Sequence, residues 1–131
     1  MSSVSTSFQN QLPISSDDLL IILKDNRVDF KLYQHKPLHS VNESKIEQEL
    51  IFPTNTNSVH IKNLFLRDNK KRNYLITCEQ DKKIDLKLIK EKIESGRLSF
   101  GSSDRLFQHL GVFPGAVSPL CMLNGIKNNV Q

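Results

Sequence analysis

The sequence predicts an α+β domain, a mixed β-sheet flanked by helices, and three observations carry that reading. Apolar stretches of strand length alternate with segments whose apolar residues recur at helical spacing, and Gly, Pro and Asn punctuate the joins. A length of 131 residues suits one compact core.

Residues 1–14 are expected to form a disordered tail, because Ser2, Ser3, Ser5, Thr6 and Ser7 bring little to bury. The domain is expected over residues 15–131. Ser16 is a candidate N-cap, Asp17 and Asp18 suit the positive end of a helix dipole, and Leu19, Leu20, Ile22 and Leu23 supply an apolar stripe that Asn26 ends. Phe30 and Leu32 alternate with Lys31 as in a half-buried strand reaching Gln34, before Pro37 interrupts any ladder. Ser40, with Glu43 three residues on, makes a capping box for a second helix through Leu50.

Residues 53–57 read as a turn-rich connection. Ser58 to Arg67 has strand composition, Asp68-Asn69-Lys70-Lys71 is a turn, and Tyr74 to Cys78 returns, so a hairpin is expected. Leu86, Ile89 and Ile93 mark a helix over Asp85 to Glu94 with Gly96 placed as its C-cap. Ser103 to Leu110 repeats the pattern and closes on Gly111. Leu120 to Leu123 reads as a last strand, followed by an Asn124-Gly125 turn.

Composition narrows the function classes. Eighteen basic against fourteen acidic residues give +4, a bias that suits a polyanionic partner without requiring one. No apolar run reaches the ~18 residues that span a bilayer, and no apolar signal stretch opens the chain, so no membrane contact and a cytoplasmic location are expected. Cys78 and Cys121 lie far apart outside any CxxC pattern, and His35, His39, His60 and His109 lack the spacing of a metal site. No metal and no cofactor are implied. Ser99, Ser102, Ser103 and Ser118 fall in no GxSxG turn, which argues against a serine nucleophile.

Two features remain. Lys62 and Asn63 interrupt the apolar strand Val59 to Leu66; taken alone, Lys62 is a solvent-facing residue of a half-exposed sheet. In Gly115-Ala116-Val117-Ser118-Pro119, small residues sit between prolines at positions 114 and 119. Such a loop is either a rigid connector or a set of backbone N–H groups that a substrate oxyanion can approach closely.

Several segments together, in order, resemble the prolyl-tRNA editing (ProX-like) family of the YbaK aminoacyl-tRNA deacylase superfamily, related to the editing insertion of bacterial prolyl-tRNA synthetases. They are His35-Lys36-Pro37 with Ser40-Val41; Lys62-Asn63-Leu64-Phe65-Leu66-Arg67-Asp68; Gly96-Arg97-Leu98-Ser99-Phe100; Arg105-Leu106; and Leu110-Gly111-Val112 with Gly115-x-x-x-Pro119. The resemblance runs from about Ser16 to Gln131. Lys-Asn-Leu-Phe-Leu is fairly specific to the ProX-like branch, whereas the Gly-x-x-x-Pro loop recurs across the superfamily.

The resemblance implies hydrolysis in trans of the ester joining a wrong amino acid, typically alanine, to proline-specific tRNA. The implied partners are the tRNA(Pro) acceptor end and prolyl-tRNA synthetase, with the chain a monomer. Lys62 would orient and stabilise the terminal nucleotide and the reacting ester, Asn63 would hydrogen-bond the substrate, and Gly115 would let the carbonyl approach the loop. Ala116, Val117, Ser118, Pro119 and His35 are the implied substrate-binding residues, and water, assisted by the ribose hydroxyl, is the nucleophile. A cysteinyl-tRNA(Pro) deacylase and a non-catalytic tRNA- or synthetase-binding domain are the alternatives. Family members continue beyond the position of Asn124 through further strands and a Phe-His-Pro stretch. The chain is therefore expected to lack the C-terminal strands and to leave a sheet edge unpaired.

Overall fold

The computed structural model describes residues 11–38, 40–52 and 57–131. Residues 1–10 of the expected tail and residues 53–56 of the expected connection lie outside the described residues. The chain divides into two compact units, Met1–Leu20 with His60–Gln131, and Ile21–Val59.

Helix α1 spans Ser16–Asp25, and its cap falls one residue earlier than expected. The Ser15 hydroxyl accepts from the Asp18 N–H and the Asp18 carboxylate accepts from the Ser15 N–H, both at 3.1 Å, a reciprocal box that satisfies two orphan donors. At the other end the Asn26 side chain donates to the Ile22 carbonyl at 2.8 Å, and Arg27 takes a left-handed φ of 57°.

The Ile21–Val59 unit holds helix α2, Val41–Ile51, whose Ser40 cap accepts from the Glu43 N–H at 3.1 Å as the sequence anticipates. No strand forms at Phe30–Gln34; residues 28–38 carry no regular structure. Alternation forms a strand only where a neighbouring ladder and a buried face reward it, and Phe30 and Leu32 stay exposed. Tyr33 instead packs edge-on against Phe52, ring centroids 5.1 Å apart.

The other unit is built on a three-stranded sheet of order β2-β1-β3. Strands β1, Ile61–Asp68, and β2, Asn73–Glu79, form the expected hairpin, in register from Ile61 opposite Glu79 to Arg67 opposite Asn73. Strand β3, Leu98–Phe100, was hidden in the sequence by its three-residue length and pairs with the end of β1, Arg67 opposite Ser99. All three strands pair antiparallel, so the expected mixed sheet is antiparallel at its centre. A parallel-type exchange occurs at the outer edge of β2, where the Gln131 N–H donates to the Asn73 carbonyl at 3.0 Å and its own carbonyl accepts from the Leu75 N–H at 2.8 Å. Gln131 thus covers that stretch of the β2 edge.

Because side chains alternate along a strand, β1 gives each face of the sheet a different core. On one face Leu66, fully buried, joins Tyr74 and Leu98 beneath Leu86, Ile89 and Ile93 of the α3 segment, whose helix spans Leu86–Lys92. On the other, Phe65 meets Leu106 and Leu110 of α4, Ser103–Leu110, together with Cys121 and Val130.

Two glycine expectations separate here. Gly111 closes α4 in the left-handed conformation, φ 71°, as expected. Gly96 is no C-cap: α3 ends at Lys92 with Ile93 as its cap, and Glu94 takes the positive φ of 53°. Gly96 sits in close approach: a Cβ there would stand 1.8 Å from Asn69 Oδ1, so the Asn69 amide that accepts from the Arg97 N–H would have to move. The strand expected at Leu120–Leu123 is helical instead, a 3-10 turn over Pro119–Cys121 running into α5, Met122–Gly125, and a further turn over Ile126–Asn128. Pro119 at the first helical position pre-sets φ and starts this run, and Asn124-Gly125 continues it rather than turning.

Candidate active site

Strand alternation sends Asn63 to the α4 face, where its side chain is spent on two bonds. Its Nδ2 donates to the Val117 carbonyl at 3.2 Å, and its Oδ1 accepts from the Thr77 hydroxyl at 2.7 Å. Thr77 stands directly opposite Asn63 in the hairpin register. The amide therefore ties the centre strand to the loop 115–119 across 54 positions of sequence. Thr77 carried no signal in the sequence beyond its place opposite Asn63.

The loop is shaped from within. Gly115 holds φ at 94°, a left-handed value that a residue with a Cβ adopts only under strain. The Ala116 N–H closes a turn on the Phe113 carbonyl at 3.2 Å. Cys121, buried at the start of the helical run, receives the Ser118 N–H on its sulfur at 3.3 Å and directs its thiol toward the Ala116 carbonyl at 3.7 Å. Of the loop's four N–H groups, those of Ala116 and Ser118 are thus used internally, while those of Gly115 and Val117 meet no acceptor among the described residues. Pro119 has no N–H to offer. Small side chains, a left-handed glycine and two free donors leave a backbone able to receive developing negative charge.

Lys62, adjacent to Asn63, points to the opposite face. It pairs with Cys78 in the hairpin, and its ammonium donates to the Lys82 carbonyl in the connection preceding α3. The structure thus joins Asn63 to the loop and holds Lys62 on the α3 side. His35 belongs to the Ile21–Val59 unit, where its Nδ1 lies 2.7 Å from the Lys36 carbonyl oxygen and it lines a hollow with Tyr33, Gln48 and Phe52. Beside the loop, Ala116 and Ser118 line a hollow of about 100 Å³ whose walls include Leu19, Leu110, Val112 and Leu120. Pro13 and Ile14, within the span expected to be tail, also line it.

Residues 35–130 match the family model described as the aminoacyl-tRNA editing domain. The chain belongs to that family. It is 42% identical over 111 residues to the prolyl-tRNA editing protein ProX of Acetoanaerobium sticklandii, covering 83% of this chain and 64% of that protein. It is 38% identical over 66 residues to the putative prolyl-tRNA synthetase associated domain-containing protein 1 of Homo sapiens, covering 48% of this chain and 39% of that one. The chain thus spans less than two thirds of the length of these curated relatives. In fold it is similar to the crystal structure of hypothetical protein APE2540, with a TM-score of 0.60 at 20% identity over 79% of this chain and 65% of that one.

In this editing domain the end of the Lys62–Asp68 motif is a structural anchor. Asp68 Oδ1 accepts from the Lys70 and Arg72 N–H groups at 3.0 and 2.9 Å, and Oδ2 accepts from Arg72 Nε at 2.8 Å and the Gly96 N–H at 3.2 Å. Arg72 Nη2 completes a two-pronged ion pair at 2.7 Å. Burial opposes ionisation of this carboxyl, but the bonds from Arg72 and Gly96 outweigh it and hold it well below the usual aspartate range. Burial, then the neighbouring Asp68 charge, pushes the Tyr74 hydroxyl up. One carboxylate therefore fixes the hairpin turn and the approach to β3 at once. The Asp-Asn-Lys-Lys turn signal located it, but its reach to Gly96 was not readable.

Among the described residues, no helix is long and apolar enough to cross a membrane.

Proposed function

We propose that this chain is a trans-acting aminoacyl-tRNA deacylase that hydrolyses alanine mischarged onto proline-specific tRNA. The observation that carries the reading is the Asn63–Val117 hydrogen bond, which brings the motif that is fairly specific to the ProX-like branch onto the loop whose Gly115 and Val117 N–H groups meet no acceptor among the described residues. Membership in the editing family and similarity to ProX supply the substrate class.

The need for such an activity is physical. A pocket built for proline rejects the smaller alanine by only about 1–3 kcal/mol, because missing methylene contacts carry little energy, so a second, smaller site must do the sorting. The hollow beside Ala116, about 100 Å³, is far below the ~300–1,000 Å³ of sites for larger ligands and suits a sieve by size.

In the proposed reaction the ester carbonyl oxygen lies against the Gly115 and Val117 N–H groups, which stabilise the oxyanion as water attacks. Asn63 positions the loop and presents its amide beside the ester. Lys62 contributes a positive charge for the terminal nucleotide once its ammonium leaves the Lys82 carbonyl. The substrate's own ribose hydroxyl assists the water, the acceptor end of tRNA(Pro) is the partner, and His35 contacts the substrate. Association with prolyl-tRNA synthetase, a cytoplasmic location and a monomeric state complete the proposal. Comparing hydrolysis of alanyl-, cysteinyl- and prolyl-tRNA(Pro) tests it: loss of the alanyl ester alone supports it, preference for cysteine assigns another substrate, and no hydrolysis refutes an enzymatic role.

A further inference from the structure

The hollow beside the loop has a wall to which the proposed chemistry gives no role. Ala116 and Ser118 of the loop and Leu110 of α4 line it from one end of the chain, while Leu12, Ile14 and Leu19 line it from the segment that leads into α1. Both parts belong to the compact unit of Met1–Leu20 with His60–Gln131. The N-terminal part precedes residues 35–130, the span that matches the editing-domain model, so membership in the family assigns it nothing.

This segment is fastened at two points. The reciprocal Ser15–Asp18 box, together with the Leu19 N–H that donates to the Ser15 carbonyl at 2.9 Å, fixes its junction with α1, and Ser15 is 8% exposed. One turn earlier, Pro13 seats on Gly111, the residue that closes α4. A Cβ at Gly111 would stand 2.9 Å from Pro13 Cγ and 3.2 Å from Pro13 Cδ, so a bare glycine is what lets the ring come this close. The pyrrolidine ring also locks φ at that position, which lowers the entropy lost in ordering the segment. Leu12 and Ile14, the neighbours of the seated proline, are half-buried and are thereby held as part of the hollow's wall.

We infer, on the editing reading of what enters the hollow, that Leu12 and Ile14 set the upper size limit of the amino-acid side chain this site admits. Alanine brings a single methyl group, and the proline ring brings two further carbons. An apolar pocket discriminates by roughly 10–200-fold for each methylene it must accept or refuse. In a hollow of about 100 Å³ the two extra carbons of proline meet the Leu12 and Ile14 side chains. Trimming either residue to alanine removes three carbons from the wall, more than the proline ring adds.

The test uses the full chain in two forms, the double variant Leu12→Ala with Ile14→Ala, which widens the hollow, and Ile14→Phe, which fills it. Single-turnover hydrolysis is followed for glycyl-, alanyl- and prolyl-tRNA(Pro). The double variant should raise the prolyl-to-alanyl rate ratio at least tenfold, and Ile14→Phe should lower the alanyl-to-glycyl ratio at least tenfold. A purely structural role would slow all three esters together, so ratios that stay at the wild-type values in both variants overturn the inference whatever the melting temperatures. A second readout needs no cleavage and no variant: amide-linked, non-hydrolysable analogues of alanyl- and prolyl-adenosine are titrated into wild type while the Ile14 methyl signals are followed by NMR. The alanyl analogue should shift those signals and the prolyl analogue should bind at least tenfold more weakly; an Ile14 signal that does not move overturns the inference. If wild type cleaves no ester yet shows both the shift and the affinity gap, the editing reading fails and the wall stands. If wild type cleaves the alanyl ester selectively and neither variant alters a ratio, the wall fails and the editing reading stands.

Discussion

Replacing Gly115 with alanine isolates the loop's backbone from everything else. An added Cβ meets nothing within 4 Å, so no clash contributes, and the whole cost comes from holding a Cβ-bearing residue at φ 94°. That conformational cost is about 1–3 kcal/mol. A loop that relaxes to escape the strain turns the Gly115 N–H from its position, and losing one preorganised oxyanion donor lowers a rate by about 10²–10³. Single-turnover deacylation of alanyl-tRNA should therefore fall at least tenfold and by as much as 10³, the smaller loss applying where the loop absorbs the strain without turning its N–H. Melting followed in parallel should drop by roughly 4 °C per kcal/mol, within the range of an ordinary loop substitution. Wild-type deacylation in a protein whose melting temperature has clearly fallen would show that the strained backbone is present but is not used on the ester.

Other substitutions probe different parts of the same framework. Asn63→Ala removes two hydrogen bonds worth about 1 kcal/mol each and should cut deacylation tenfold or more; wild-type kinetics would remove Asn63 from the site. Lys62→Ala frees only the Lys82 carbonyl, so the fold should remain intact by circular dichroism while deacylation is lost; full activity would reassign Lys62 to the surface. Leu66→Ala empties a fully buried position between the strands and α3 and should cost about 2–5 kcal/mol in urea unfolding, with a smaller loss indicating local collapse. Asp68 is depressed in the folded chain, so its contribution is complete above the ordinary value of 3.8 and is lost as pH falls below it. Urea midpoints measured at pH 6 and pH 3 should therefore differ more in wild type than in Asp68→Asn.

The parts of the fold readable from sequence were those decided locally. The hairpin from Ile61 to Glu79, the Ser40 cap and the Gly111 closure each depend on residues within a few positions of one another. What sequence could not supply was tertiary reward. Phe30 and Leu32 alternate correctly but find no ladder, and Leu120 to Leu123 is apolar enough for a strand yet follows a proline that starts a helix. The site divided in the same way. Lys62 and Asn63 were visible as polar interruptions of an apolar strand, but only the hairpin register shows that they face opposite sides, one toward Lys82 and one toward Val117. Cys121 reads in the sequence only as a thiol outside any CxxC pattern, because nothing at positions 116 to 121 reveals that its sulfur would hold the loop.

The most direct measurement is hydrolysis of alanyl-tRNA(Pro) by this chain beside correctly charged prolyl-tRNA(Pro), under single-turnover conditions with Gly115→Ala as the control. The expected result is rapid release of alanine, prolyl-tRNA left intact, and at least a tenfold loss in the variant. Equal hydrolysis of both charged tRNAs, or of neither, would contradict a size-selective editing site on the Gly115–Pro119 loop.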